Sequence, residues 1–344
     1  MAAGFPTPLP SVIPSSGIIL NAPNQSFAAE PTDLPIGYVE SWNIAIQRSL
    51  PRNFSAEAAF VGNHGIRIAS SNGVNINASL IPGSGNNGEP LFVKFGRTAI
   101  TQVPWFPPSY YDALQLKLNR RFSNGLGIIT SYAFGKSIDL NSNTNQIFLS
   151  QNKGLASLDR RHIFTASAIY ELPFGAGKPM AQTGVAKAIL GGWQMNGLWT
   201  WESGFPLNIT TSATSLNAPG NGNRPNVSGP VQIFGNEGPG QKYFDTSVFS
   251  APPSNTFGNV GRNVLHGPHL FNIDFSIFRK FNITERFKLE FRAESYNLSN
   301  TPWFDNPDTT FTDAAFGQVT TAQGTQSVKV NMNRNLQGSL RITF

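Results

Sequence analysis

Apolar and polar side chains alternate along much of the chain, and the alternation is clearest between Phe271 and Leu298. One set of alternate positions is apolar: Phe271, Ile273, Phe275, Ile277 and Phe281, and then, beyond residues 282–285, Phe287, Leu289, Phe291 and Ala293. The other set is polar or charged: Asn272, Asp274, Ser276 and Lys280, and then Arg286, Lys288, Glu290, Arg292 and Glu294. A period of two residues is typical of β-strands. The stretch therefore predicts two strands joined by a tight turn.

The length of these two strands indicates which face meets water. Strands of soluble proteins are commonly about 5 to 6 residues long, whereas a tilted strand that crosses a bilayer needs about 9 to 11. Both predicted strands reach the longer value, and a row of ionisable groups suits a water-filled lumen better than a dry core. We therefore expect the apolar face to contact lipid. We also expect a charged ladder to line the lumen: Asp274, Lys280, Arg286, Lys288, Glu290, Arg292 and Glu294.

The same alternation recurs along the rest of the chain and predicts about nine long strands in all. The further strands are expected near residues 38–50, 54–60, 114–122, 126–134, 164–172, 193–201 and 335–344. Asn124-Gly125 lies between two alternating runs and predicts a hairpin turn, because both residues accept a positive φ. We expect residues 1–37 to form an extended loop that leads into the barrel, and residues 38–344 to form the C-terminal portion of the barrel.

The connections between the predicted strands alternate in length. Short turns follow the first, third and seventh strands, and long loops follow the second, fourth, sixth and eighth; the connection after the fifth, at residues 173–192, is of medium length with a helical turn near residues 185–190. Membrane barrels have short periplasmic turns and long extracellular loops, and a soluble sandwich has no reason to sort its connections in this way. The predicted fold is an all-β, antiparallel, up-and-down transmembrane β-barrel, present in part.

Aromatic residues lie near many predicted strand ends. Amphipathic rings favour the headgroup level of a membrane, so we expect an aromatic girdle, although aromatic residues also suit strands in general. The expected girdle consists of Trp42, Phe122, Tyr132, Tyr170, Trp193 and Phe281.

Composition excludes several classes of protein. The 344 residues include no cysteine, which excludes a disulfide framework and a thiolate metal site, and only 13% are charged. The net charge of +6 comes without any Lys/Arg-rich run, so nucleic acid is not an expected partner. The chain has no apolar run of about 18 residues and no recognisable signal peptide. We therefore expect it to be the C-terminal part of a longer exported protein.

The sequence carries little that resembles an active site. Residues 83–88 match the dinucleotide pattern G-x-G-x-x-G, but Glu89-Pro90 follows where a helix should begin. His266 and His269 lie in a Gly-Pro loop that lacks the rigid spacing of a zinc site. No G-x-S-x-G motif is present. We expect no catalytic residue, no cofactor and no metal, and thus a protein that is not an enzyme.

Several motifs distributed along nearly the whole chain resemble those of one family, the Oar-like TonB-dependent receptors that contain a carboxypeptidase regulatory domain. These motifs are YVESWN at residues 38–43, FVGNHG at 60–65, DRRH at 159–162, YELPFG at 170–175, LGGWQ at 190–194, SGFP at 203–206, FGNVGRN at 257–263 and FRAE at 291–294. The resemblance implies an outer-membrane barrel of about 22 strands. It also implies an N-terminal plug and the uptake of bulky ligands with energy from the TonB system. The chain departs from that pattern at its start, and we expect the plug and the TonB-contacting segment to lie outside this sequence.

The last ten residues resemble the C-terminal signal that the outer-membrane barrel-assembly machinery reads. Leu340, Ile342 and the terminal Phe344 alternate with polar residues, although a plain final strand would show the same alternation. The implied partners are therefore outer-membrane lipid, the assembly machinery, TonB through a plug, and a ligand that the sequence does not name.

Three functions follow from these patterns. The first is the barrel of a TonB-dependent outer-membrane receptor or transporter. The second is a passive porin-like channel with an open lumen. The third is a soluble all-β adhesin or glycan-binding domain, in which a second layer of protein would cover the apolar faces.

Overall fold

Nine long strands form one antiparallel sheet in the computed structural model, which describes residues 27–69, 73–103, 107–141, 144–322 and 333–344. We number the strands in chain order. They are β1 (Tyr38–Leu50), β2 (Phe54–Ile66), β3 (Ser109–Ser123), β4 (Leu126–Asp139), β5 (His162–Glu171), β6 (Trp193–Glu202), β7 (Leu270–Asn282), β8 (Lys288–Tyr296) and β9 (Asn335–Thr343).

Each strand pairs with its neighbours in sequence, so the sheet runs in order from β1 to β9. This order confirms the predicted up-and-down antiparallel fold. The sheet is open, with β1 and β9 as its edge strands. In lipid an open edge is untenable, because its backbone N–H and C=O groups have no water to bond.

The connections divide into two groups at opposite ends of the sheet. We call one the turn end, where residues 51–53, 124–125, 172–192 and 283–287 connect the strands, and the other the loop end, where residues 67–108, 140–161, 203–269 and 297–334 do so. Asn124 (φ 49°) and Gly125 (φ 78°) both adopt the left-handed conformation that the hairpin signal predicted. The expected helical turn is the helix Gly184–Leu190.

The two faces of the sheet differ in the way the alternation predicts. Residues that pair directly across a sheet share a face. By this criterion the predicted apolar sets of adjacent strands lie on one side, as in Ile44 with Phe60 and Phe60 with Leu114. We call this side the apolar face and the other the polar face.

Exposure shows that no second layer of protein covers the apolar face on the part of the chain described. Ile44 is 72% exposed and Leu116 is 38% exposed, whereas the small Ala113 on the polar face is only 2% exposed. A water-soluble protein would bury such large aliphatic side chains instead. The soluble-domain alternative requires a covering layer, and residues 27–69, 73–103, 107–141, 144–322 and 333–344 do not supply one.

Short elements occupy the connections. The short strands are Phe27–Ala29, Val74–Asn75, Ile100–Gln102, Gly154–Leu155, Pro206–Leu207, Asn226–Val227, Phe249–Ser250 and Leu265–His266. The helical pieces besides Gly184–Leu190 are the α-helix Phe92–Phe95 and the 3₁₀ turns Gly85–Gly88, Leu149–Asn152 and Thr214–Leu216. In the described residues, no helix combines the length and the hydropathy that a membrane span requires.

The main hydrophobic core lies in the loops, not in the sheet. Segments 206–265 and 303–319, which we call the loop module, pack together at the loop end. The buried core of the module consists of Leu207, Ile209, Tyr243, Phe244, Phe249, Val260, Leu265, Phe316 and Val319. Phe244, Phe249 and Phe316 meet edge to face, with ring centroids 5.4 to 6.0 Å apart. The loops that the sequence left without recognisable structure therefore form a folded unit.

Several strand and loop boundaries differ from the predicted ones. β2 continues to Ile66, β4 continues to Asp139 and β3 begins at Ser109, because backbone pairing goes on where the side chains turn polar. Phe27–Ala29, inside the expected extended loop, pairs in parallel with Ile100–Gln102. The rest of the expected leading loop, residues 1–26, lies outside the described residues.

Candidate functional site: the charged ladder and the loop module

Four members of the expected charged ladder lie together on the polar face of β7 and β8. Lys280 Nζ is 3.5 Å from Glu290 Oε2, and Arg292 lies 3.3 Å from Glu290 and 3.4 Å from Glu294. The Arg292 guanidinium also covers the ring of Phe278 at 4.8 Å, and Gln337 on β9 donates to Glu294. These ion pairs and the hydrogen bond from Gln337 link three adjacent strands.

The other three expected members have different surroundings. Asp274 accepts hydrogen bonds from the Asn272 side chain (3.0 Å) and from the Asn297 backbone N–H (2.9 Å), so it fixes the start of the loop after β8. Lys288 opens β8 opposite Asn282 and Thr343.

The predicted strand position of Arg286 is wrong. It lies in the turn before β8 begins at Lys288, because the backbone N–H groups of Ile283 and Thr284 bond to Phe287 O (3.0 and 3.1 Å). These bonds close a turn through residues 283–287 and leave Arg286 off the strand.

The structure adds ion pairs that the expected ladder did not include. Lys117 and Glu57, directly paired on the polar face of β3 and β2, are 3.0 Å apart, and Lys178 and Glu171 at the turn end are 2.6 Å apart. The alternation rule already placed Glu57 and Lys117 on the polar face, so the Glu57–Lys117 pair was readable once the strand register was known.

Arg120 and Arg279 lie on the apolar face near the turn end, where sequence analysis assigned no charge. The Arg279 guanidinium is 4.4 Å from the ring of Phe281 and donates to Ile189 O at 2.9 Å. Arg120 similarly covers Phe54 at 5.6 Å and donates to Leu126 O at 2.7 Å. Long basic side chains near a membrane boundary can direct their charge toward the headgroups.

The six residues of the expected aromatic girdle lie at different levels along the strands. Phe122, Tyr170, Trp193 and Phe281 lie at the turn end of their strands. Trp42 lies toward the loop end of β1, whereas Tyr132 lies midway along β4, where it pairs with Leu116 and Phe164. The four rings at the turn end share the level that a girdle at one membrane boundary would require, and the girdle as a whole stays a prediction.

The expected C-terminal signal lies on and beyond the edge strand β9. Leu340 pairs with Phe291 and Ile342 with Leu289, so both share the apolar face. Phe344 follows β9, and its ring centroid is 6.4 Å from that of Phe287. All three side chains are exposed.

We predict that deleting Phe344 lowers the amount of protein inserted in the outer membrane severalfold, because the signal would lose its terminal ring. The measurement is the yield in outer-membrane fractions from cells expressing the protein that carries this chain. Phe344→Tyr should retain insertion, and so should Thr343→Ala, which alters the neighbouring side chain on the polar face. Unchanged yield after the deletion would contradict the prediction.

Arg262 anchors the loop module to the sheet. It forms an ion pair with Asp139 at the end of β4, and its Nη1 also donates to Asp139 O (3.1 Å) and Asn152 O (3.2 Å). Its side chain is almost fully buried. A second anchor comes from Trp303 Nε1, which donates to Phe271 O on β7 at 3.2 Å.

The family motifs hold the loop end together. In DRRH, Asp159 accepts the Ser137 N–H, and Arg160 pairs with Glu202 at 2.9 Å while its guanidinium covers Phe205 at 3.6 Å. In FGNVGRN, Gly258 presses so closely on the backbone of Arg224 that a Cβ would lie 1.9 Å from Arg224 O. Only glycine fits there. These motifs therefore position loops and do not assemble a reactive centre.

Burial shifts the pKa values of several titratable groups in the loops. It raises the pKa of Glu89 to about 7 and, assisted by Glu237, raises the pKa of Tyr243 to about 12. Burial, together with Arg161, lowers the pKa of His266. The described residues contain no cluster of three or more His, Asp and Glu side chains that could hold a metal ion.

We predict that the loop around Glu89 becomes less stable as pH rises from about 4.5 to about 7. Glu89 is 3% exposed and its Oε2 has no hydrogen-bond partner in the described structure. The pKa of Glu89 is raised in the folded protein, so folding favours the protonated carboxyl. The stability that this preference contributes is lost as the carboxyl ionises. Protease cleavage of residues 77–97 should accelerate over that range, whereas Glu89→Gln should show a flatter profile. Identical profiles would contradict the assignment.

The fold and its two faces define a class. The sheet is antiparallel and up-and-down, and its long strands are apolar and exposed on one side and charged on the other. Short turns lie at one end and long loops at the other. This combination is the architecture of an outer-membrane β-barrel. The chain belongs to the outer membrane beta barrel domain family, whose model matches residues 1–337. The protein is therefore an outer-membrane protein.

The chain also resembles part of two solved structures. The outer membrane transporter YddB from Escherichia coli is 9% identical, with a TM-score of 0.48 over 93% of this chain and 34% of its own. The pyoverdine outer membrane receptor FpvA from Pseudomonas aeruginosa, bound to pyoverdine, is 9% identical, with a TM-score of 0.46 over 90% of this chain and 30% of its own. The chain thus spans about a third or less of the length of these proteins. No curated protein sequence matches it.

Proposed function

We propose that this chain is the C-terminal barrel portion of a TonB-dependent outer-membrane receptor or transporter of the Oar-like type, which binds or takes up a bulky ligand. The observation that supports the proposal best is the loop module. A porin needs an open entrance, whereas here segments 206–265 and 303–319 form a folded unit with its own hydrophobic core at the loop end, and in the proposed barrel this unit restricts the entrance.

The polar face supplies the second support. In the proposed barrel the ladder of Lys280, Glu290, Arg292 and Glu294 lines the lumen, where it bridges strands and meets a plug. The loop after β8 already covers part of this face, since Asn272 beside Asp274 is only 4% exposed. A lumen that is charged and partly covered fits a gated receptor better than an unobstructed channel.

Residence in lipid requires that the open edges of the sheet be paired. In the proposed barrel, β1 and β9 pair either with each other or with strands outside this sheet. The proposed partners are outer-membrane lipid around the apolar face, the barrel-assembly machinery that reads Leu340, Ile342 and Phe344, and TonB through a plug.

A liposome swelling assay tests the proposal. The complete outer-membrane protein that contains this chain is reconstituted in vesicles, and sugars of increasing size are added outside. A gated receptor should give no more swelling than empty vesicles. Rapid size-limited sugar flux would contradict the proposal and support the passive porin-like alternative. Reconstitution is confirmed in the same vesicles by protease protection of the strands.

A further inference from the structure

Arg224 is a buried cation in the loop module that no part of the receptor function explains. It is 6% exposed and lies between two other buried residues, Asn223 and Pro225. The Asn223 side chain accepts hydrogen bonds from the N–H groups of Arg224 (2.9 Å) and Gly258 (3.1 Å), which holds the two segments against each other. The backbone at Arg224 is therefore fixed.

Two nitrogens of the Arg224 guanidinium lack partners in the described structure. Nε and Nη2 are both buried and form no hydrogen bond. These two nitrogens lie on the same edge of the planar group, and their N–H bonds point the same way. This edge is one of the forks with which arginine binds two oxygens of a carboxylate or phosphate at once.

No carboxylate of the protein neutralises this group. All 19 Asp and Glu residues lie in the described parts of the chain, and none forms an ion pair with Arg224. The charged neighbour that affects Arg224 is a second cation, Arg262, whose own charge is balanced by Asp139. The site therefore carries an excess of positive charge in a place removed from water.

An unpaired buried charge is costly, and proteins normally neutralise or pair it. Burial and the nearby Arg262 lower the pKa of Arg224 only to about 10, so the guanidinium remains charged at neutral pH. Since deprotonation does not remove the charge, an anion from solution is the remaining means of pairing it.

We propose that Arg224 is the core of a binding site for a small oxyanion, a carboxylate or phosphate group, which accepts hydrogen bonds from Nε and Nη2. The anion completes the packing between segments 223–227 and 256–262. Arg262 contributes through its positive field, because its Nη1 is already bound to Asp139 and Asn152. The site stabilises the loop module and is separate from the proposed ligand-binding function of the barrel.

The test measures the thermal unfolding of the purified protein in detergent, with chloride as the only anion at the start. Phosphate or acetate replaces chloride at constant ionic strength. Wild-type protein should show a saturable rise in the unfolding midpoint of the loop module, and comparison of phosphate with acetate identifies the preferred oxyanion. Arg224→Met should abolish the rise. Arg224→Lys keeps the charge but loses the fork, so oxyanion affinity should fall at least about tenfold.

Lys94→Met is the matched control, because it removes an exposed cation in another loop and should leave the response unchanged. An equal rise in wild type and Arg224→Met, or no saturable rise in wild type, would overturn the proposal. If Arg224→Met fails to fold, hydrogen exchange on wild type decides. Oxyanion should increase protection of residues 223–227 and 256–262, and unchanged protection would overturn the proposal equally.

Discussion

Replacing Leu116 with arginine should destabilise the membrane-inserted protein by about 2 to 4 kcal/mol, the cost of a lipid-facing cation near the midplane of a bilayer. Leu116 lies in the middle of β3 and pairs with Ala58 on β2 and Tyr132 on β4, all on the apolar face. The measurement is urea-induced unfolding from lipid vesicles, followed by tryptophan fluorescence.

The matched control is Gln115→Arg, one residue away in the same strand and at almost the same depth. Gln115 pairs with Ala59 and Ala133 on the polar face, so its added charge should meet water. Its effect should be within about 0.5 kcal/mol, the usual range for a surface substitution. Equal costs at the two positions would show that the faces are not sorted between lipid and water.

Removal of the Arg262 side chain by Arg262→Ala should destabilise the loop module by about 3 to 5 kcal/mol. The substitution leaves Asp139 without its buried partner and also removes the bonds to the Asp139 and Asn152 carbonyls. Hydrogen exchange should accelerate in residues 139–155 and 256–263, while the middle of β7 and β8 keeps its protection.

Lys94→Ala serves as the control for the loss of a positive charge from an exposed loop side chain, and it should change exchange little. The double variant Arg262→Ala with Asp139→Asn tests the pair itself, because it should cost less than the sum of the two single variants. Additive effects, or exchange that stays slow in Arg262→Ala, would show that the module is anchored elsewhere.

The strands could be predicted from the sequence because the feature that defines them, the alternation of side chains between two faces, is local. A side chain in a strand faces the side opposite to its neighbours, so alternation at residues such as Trp42, Ile44 and Ile46 reports the face without any knowledge of the partner strand. The order of the sheet followed from the connections, since adjacent strands joined by short turns pair with each other. Strand ends such as Ile66 and Asp139 were less readable, because backbone pairing continues where alternation stops.

The loop module was not readable, because its core has no period. Phe244 and Phe316 meet across 71 intervening residues, and only tertiary packing brings them together. FGNVGRN at residues 257–263 was recognised as a family motif, but its structural task, which includes the ion pair of Arg262 with Asp139, depends on contacts distant in sequence.

Parts of the candidate site were predicted and parts were missed. Alternation brought Lys280, Glu290, Arg292 and Glu294 to one face correctly, and the ion pairs among them followed from register. The strand position of Arg286 was wrong, because the turn before β8 extends to Phe287 and the strand begins only at Lys288. That the ladder faces the lumen stays a prediction. Arg279 was overlooked, although its position in the alternation places it on the apolar face beside Phe281.

The assignment of the two faces can be tested by labelling single cysteines along β3. The chain has no native cysteine, so each of positions 114 to 118 can carry the only thiol. A water-soluble maleimide is applied to the protein in lipid vesicles, with detergent-solubilised, unfolded protein as the measure of full reactivity. Cysteines at 115 and 117 should react, and those at 114, 116 and 118 should stay protected. Uniform reactivity, or the opposite alternation, would contradict a barrel whose apolar face meets lipid.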